Sequence, residues 1–321
     1  MHRLVNTTPF AAEFDVLPDA HGVDTLYLTI KASFDLAPRI AVSPHQREIL
    51  ACDVHWGEPD RTSLRYPSER HLSKPGTDVI VIGSAHAPRH RPVTTLDVSL
   101  SAGPLRKVVR VLGDRRRTAA GVSAPRPFVT MPLIHERAFG GPGHPVNPTG
   151  VGLHGDESLP NLEHPHEPFI DVGDRSSPAC FAAVPPGWWP RCAHAGTYDE
   201  AWRRTRAPYL PVDFDPRFFH ATPPDQHVVG HFSGGERIEL EHASPEPLRF
   251  DLPTCRFVCK ARVAGRTVIL APNLETVQLE PDDGHLSLLW RAAAAVDRRV
   301  LEIDEIAVSL RRMDLHHGAD A

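Results

Sequence analysis

Long apolar runs are missing from this sequence. No uninterrupted hydrophobic stretch comes near the ~20 residues that a membrane helix needs. The opening MHRLVNTTPFAAEFDVLPDA has no apolar core of a secretory signal. The expectation is a cytoplasmic protein with no membrane partner. An excess of positive charge is missing too: 35 Lys and Arg face 40 Asp and Glu, for a net charge of −5. Nothing in that balance argues for a nucleic-acid partner. The densest basic stretch, RKVVRVLGDRRR from Arg106 to Arg117, alternates its apolar residues before Gly113-Asp114. It reads as a strand ending in a solvated, charged turn. Cysteine is sparse, five residues with no CxxC, which argues against a disulfide framework and fits a reducing compartment. Cys255 and Cys259 lie four apart in CRFVC, so they share one strand face and read as small core hydrophobes.

Proline, by contrast, is abundant: 33 residues, about twice ordinary usage. Proline breaks helices and favours loops and edge strands. The expected fold is mainly β, with two strand-rich, β-sandwich-like portions, residues 1–135 and 231–311. A long ordered Pro/Gly/aromatic loop region with one or two short helices, 136–230, joins them, and 312–321 is a tail. The arrangement is compatible with one compact unit. In DTLYLTIKASFDL, Leu26, Leu28 and Ile30 face one way, Tyr27 and Thr29 the other. DVIVIGSA is a short buried strand stopped by Gly83. Hairpins are expected around Ala102-Gly103-Pro104, Ala264-Gly265-Arg266 and Pro281 to Gly284. RAAAAVDRR, despite its alanines, follows a strand and is read as extended. In the middle region, GTYDEAWRRTRAPYLP carries the one clear helix signal. Thr197 and Glu200 form a capping-box pair, and the helix should stop before Pro208. A second short turn is expected in DPRFFHA.

The stretch ERAFGGPGHPVNPTGVG, Glu136 to Gly152, holds five glycines and three prolines. A phosphate loop needs successive backbone N–H groups converging on an anion. Pro142, Pro145 and Pro148 remove donors, and neither Gly-Lys-Ser/Thr nor GxGxxG is present. A fixed irregular path is the better account: glycine supplies positive φ, proline fixes φ, and Asn147 before Pro148 starts a turn. Glu136 and Arg137 sit at its base, where a packed loop needs charged donors and acceptors.

This stretch, together with LPNLEHP, GTYDEAWRRTRAPYLPVDFDPRFFHATPPDQ, LTIKASFDL, GTDVIVIGSAHAP and LPTCRFVCKARVAGRTVILAPNLETVQLEPDDGHLSLLW, resembles a bacterial domain family. That family recurs in type VI secretion effector clusters beside spike-tip and effector genes, and its members are regarded as effector adaptors or chaperones. The resemblance spans nearly the whole chain. It implies a non-enzymatic protein that binds a type VI effector, with a spike-tip or spike protein as a further partner. It supplies no catalytic residue and no cofactor.

Chemistry-bearing residues give the rival reading, a metal-assisted hydrolase in the His-rich middle. His164 and His166 in LEHPHEP could both reach one metal from an extended chain, but Pro165 and Pro168 suggest a surface loop. No GxSxG, HExxH or paired-carboxylate motif is present. Asp225-Gln226 reads as a structural turn. Cys180 has no basic residue fixed close to it, Cys192 has only Arg191 beside it, and His316-His317 reads as a solvated tail. A binding surface has more support. Trp and Arg are enriched at interface hot spots, and the middle region concentrates them. We expect Trp188, Trp189 and Arg191 to contact the partner, with Arg137 fixing the loop. Adjacent residues on an extended segment point opposite ways, so one of Trp188 and Trp189 can anchor while the other stays exposed. No metal site and no cofactor are expected.

Overall fold

A strand that is apolar on successive residues belongs inside a sheet covered on both faces. Asp24–Asp35 is such a strand: Leu26, Leu28, Ile30 and Phe34 are buried on one face, Tyr27, Thr29 and Lys31 on the other. In the computed structural model, which describes residues 2–316 except 38, 120, 156 and 170–175, it lies between Ala11–Pro18 and His285–Ala295, antiparallel to both. The sheet continues through Asn273–Glu280 to Gly76–Val81, which pairs parallel, and ends at His227–Val229. The short Ala41–Val42 pairs with the end of Asp24–Asp35. Strands from the two ends of the chain are therefore neighbours in one seven-stranded sheet.

Two smaller sheets close over its apolar face. One runs Leu162–Glu163, Leu105–Leu112, Thr95–Ala102, Arg237–Glu241, Leu248–Asp251; the other Arg3–Asn6, Ile303–Asp314, Thr254–Val263, Arg266–Leu270. Leu28 and Ile30 from the large sheet, Val98 and Val109 from the second, and Cys259 and Ile306 from the third share one core. Burying each such aliphatic chain is worth about 1.5–3 kcal/mol. The protein is thus mainly β. No described helix is long and apolar enough to cross a membrane.

The three expected hairpins form, turning at Gly103-Pro104, at Ala264-Gly265, and through Pro281–Asp283 into Gly284. Arg291 to Ala295 is extended, as its neighbours required. Three expectations need correction. The α-helix Glu200–Thr205 ends before Pro208, but its N-cap is Asp199, whose carboxylate accepts from the Trp202 amide at 2.8 Å. Thr197 is held elsewhere, its hydroxyl donating to Asp213 at 2.7 Å. Glu200 pairs with Arg203 and Arg204 instead of capping. The basic run is not all solvated: Lys107 and Arg115 are buried, against Asp225 and Glu163 respectively, because alternation turns them inward. His316 is no free tail residue; its Nε2 lies 2.7 Å from the Thr254 hydroxyl, while His317 lies outside the described residues.

Candidate functional site

The glycine-rich stretch is built around Asn147, which is fully buried. Its side-chain amide donates to the carbonyls of His135, 2.8 Å, and Phe139, 3.0 Å. Its own carbonyl accepts from Gly141, and Phe139–Gly140 pairs in parallel with Val151–Gly152. A Cβ on Gly140 would sit 2.1 Å from the Asn147 carbonyl oxygen. The amides of Gly141, His144, Asn147, Gly150, Val151 and Leu153 are all taken by partners within the loop or its base. This is packing, not a phosphate cradle. Glu136 accepts from the amide and hydroxyl of Ser63, and Arg137 donates to Asn161 at 2.9 Å with Asp114 at 3.4 Å. Arg137 fixes the base of the loop.

Above this loop the chain turns at Pro185-Pro186-Gly187-Trp188-Trp189. The Trp188 amide donates to Pro185 and its carbonyl accepts from Cys192, so the segment is a turn and not extended. The two indoles still diverge. Trp188 is half-buried, edge-on to His135 at 5.3 Å, whereas Trp189 is 52% exposed. The Trp189 amide donates to Pro145 at 3.0 Å, tying the turn to the glycine loop. Arg191 points inward. It is buried, and its guanidinium donates to the carbonyls of Val184, 2.6 Å, and Phe218, 3.0 Å, close to the Phe218 ring.

Arg191 meets there the far face of the large sheet. Alternation puts Tyr27, Thr29 and Lys31 on that face, and Asp78, Gln278 and Arg291 join them from the next strands. The charged groups are buried and paired: Lys31 with Glu69 at 2.7 Å, Lys74 with Asp78 at 2.7 Å, Arg291 with Glu275 at 3.4 Å. Segments 67–74 and 214–221 cover them and leave a cavity of 290 Å³. Burial pushes the Glu275 carboxyl up to about 7, against the pull of Arg291 and Lys74. Burial also raises Glu69 and lowers His71 well below the usual histidine value. Asp78 goes the other way: burial raises it, but Lys74 and His220 outweigh that and hold it well below the carboxylate range. Buried ion pairs add little net stability over apolar packing. Their concentration around a cavity, with carboxyls driven apart in pKa, marks a candidate ligand or proton-handling site.

Asp78, His220 and His227 converge closely enough to suggest a metal. The donor set does not fit one. A carboxylate oxygen can only accept, so His220 Nδ1, 2.6 Å from Asp78, carries its proton. The other Asp78 oxygen accepts from the Lys74 ammonium and the Ala221 amide. An ammonium 2.7 Å from the carboxylate opposes a cation there. The three form a hydrogen-bonded network, with His227 stacked on His220 at 4.0 Å. His164 and His166 lie in a surface turn, and among the described residues no third ligand joins them. Asp225 sits in the 3-10 turn Pro224–Gln226 and pairs with Lys107. Lys107 also acts on Cys180, correcting the expectation that no basic group lies near it. Burial nonetheless pushes that thiol up to about 12.

Sequence reading singled out Arg137, Trp188, Trp189 and Arg191 as a binding set. Of these, Arg191, expected to contact the partner, is instead buried on main-chain carbonyls. The ion-paired face was missed. A signal was there. Lys31 in LTIKASF, Asp78 in TDVIVI and Arg291 in LLWRAAA are single charges inside strands otherwise built for burial. Such a charge must be paired. No curated protein and no solved structure matches the chain. Residues 21–291 match the family model described as "Uncharacterized protein conserved in bacteria (DUF2169)", and the chain belongs to that bacterial family.

Proposed function

We propose that this protein is a cytoplasmic, non-enzymatic adaptor or chaperone that binds a type VI secretion effector and aids its loading on the spike. The motifs spread along nearly the whole chain support the family part of this reading. The observation that carries the binding part is Trp189. A large indole, 52% exposed, stands on a turn locked by the Pro145 contact on one side and the Trp188–Cys192 bond on the other. A pre-ordered aromatic anchor binds a partner with little further loss of freedom. Tyr198 and Tyr209, also exposed, flank the short helix of the same region. Trp188, half-buried on His135, supports the turn, and Arg191 and Arg137 hold it and the glycine loop in place.

The test is calorimetry of the purified protein against the effector encoded beside it. Trp189→Ala is expected to keep the wild-type melting temperature and to weaken binding thirtyfold to a thousandfold, the roughly 2–4 kcal/mol of a true hot spot. A folded Trp189→Ala variant that binds like wild type puts the surface elsewhere. A wild-type protein that binds no neighbouring effector or spike protein removes the adaptor reading.

A further inference from the structure

The cations at the covered face of the large sheet have carboxylates within ion-pair distance, Arg191 excepted. Lys31, Lys74 and Arg291 each have a carboxylate within 4 Å. Arg70, at the rim of the cavity, has Glu13 and Asp15. Arg191 has none within ion-pair distance among the described residues. Its two hydrogen bonds run to main-chain carbonyls, and Asp53 and Asp78 act on it only at longer range. Yet it is only 8% exposed and lines the 290 Å³ cavity. A guanidinium has five N–H donors, and two are accounted for here. A buried cation without a counter-charge is costly, and it persists where something supplies the missing charge.

We propose that the cavity binds a carboxylate, docked on the Arg191 guanidinium. Planar forked donors match a carboxylate's two oxygens. A single guanidinium without a carboxylate in direct contact suits a single negative charge. A phosphate dianion would be repelled more strongly than a carboxylate by Asp53, Glu69 and Glu275, which line the same walls. The size is at the small end of ligand pockets, which begin near ~300 Å³. It suits a small organic acid, or the terminal residue or acidic side chain of a peptide. The Thr29 hydroxyl on the cavity floor offers a neutral hydrogen bond to the rest of the molecule. This inference does not depend on the adaptor reading.

Thermal melts and calorimetry of the full chain distinguish the sources. The probes are succinate and a short acetylated tri-alanine peptide, with its C-terminus free or amidated, at millimolar concentration against matched chloride. A ligand that binds the native state raises the melting temperature. A rise with succinate alone assigns a free acid; a rise with the free but not the amidated peptide assigns a peptide carboxylate; both support the site. Arg191→Gln is expected to weaken binding about thirtyfold, as loss of one partner of a buried charge pair does. Should that variant not fold, Leu289→Phe keeps the guanidinium and fills the cavity, and it is expected to abolish binding. No rise with any carboxylate, equal rises with the free and amidated peptides, or wild-type binding by folded Arg191→Gln or Leu289→Phe overturns the proposal.

Discussion

Asn147 shows how one buried polar side chain can dictate the residues around it. Two carbonyls accept from its amide, and Gly140 and Gly150 have no side chain because Asn147 fills that space. Asn147→Ala removes the side-chain donor from the Phe139 carbonyl and one of two donors from the His135 carbonyl, which also accepts from the Ala138 amide, at a cost of about 1–3 kcal/mol. Gly140→Ala places a methyl 2.1 Å from a main-chain oxygen and is expected to be worse. Gly141→Val, at φ +145, is expected to cost about 1–3 kcal/mol through backbone strain. Urea unfolding of the three variants should show lower midpoints, with Gly140→Ala lowest. ATP should shift none of the melts. An ATP-dependent rise would restore the phosphate-loop reading, because a bound ligand must stabilise the native state.

Among the elements, the hairpin Thr254–Val263 to Arg266–Leu270 is the most open to a directed change. Its turn has two successive positive φ angles, +51 at Ala264 and +74 at Gly265. That is the type I′ signature, which prefers Asn-Gly. Alanine in the left-handed region costs about 1 kcal/mol. Ala264→Asn is therefore expected to raise the urea midpoint by a comparable amount with an unchanged m-value, and an unchanged midpoint would show that the strain is absorbed elsewhere. This hairpin also shows what sequence can reveal. Its strands and turn were legible because turn chemistry and alternation are local. The same holds for the turns at Gly103-Pro104 and Pro281 to Gly284. The helix cap was misread because Thr197 has a better partner, Asp213, sixteen residues away in the chain. The inward face of Asp24–Asp35 was legible in Leu26, Leu28 and Ile30. That Tyr27, Thr29 and Lys31 face a covered, ion-paired layer was not, since Glu69, Glu275 and Arg291 reach that layer from distant segments. The divergence of Trp188 and Trp189 was foreseen, though a turn produces it and not an extended strand.

At the scale of the molecule, two buried groups titrate against each other. Burial lowers His135 to about 4. The unfolded chain takes up a proton near 6.5, so between pH 6.5 and 4 unfolding binds a proton and stability falls as pH falls. Glu275, raised to about 7, holds its proton in the folded state between 7 and its ordinary value of 4.5, so over that window it makes stability rise as pH falls. Each effect is limited to about 3 kcal/mol at 1.36 kcal/mol per pH unit. Glu275→Gln should make the loss of stability on acidification steeper, and His135→Gln should make it shallower. Urea midpoints across this range check both, and wild-type slopes in both variants would show that other groups govern the pH response.

The interleaving of the large sheet has a consequence during synthesis. Asp24–Asp35 has its full complement of neighbours only when His285–Ala295 exists, and Gly76–Val81 waits for Asn273–Glu280. At about 5–20 residues per second, the last of these strands leaves the ribosome roughly 10–50 s after the first. For that interval the nascent chain carries aliphatic strands with open edges and nothing to close them. Interrupted translation would therefore yield sticky fragments, not a smaller working protein, and an early stop codon should be as damaging as deletion of the gene.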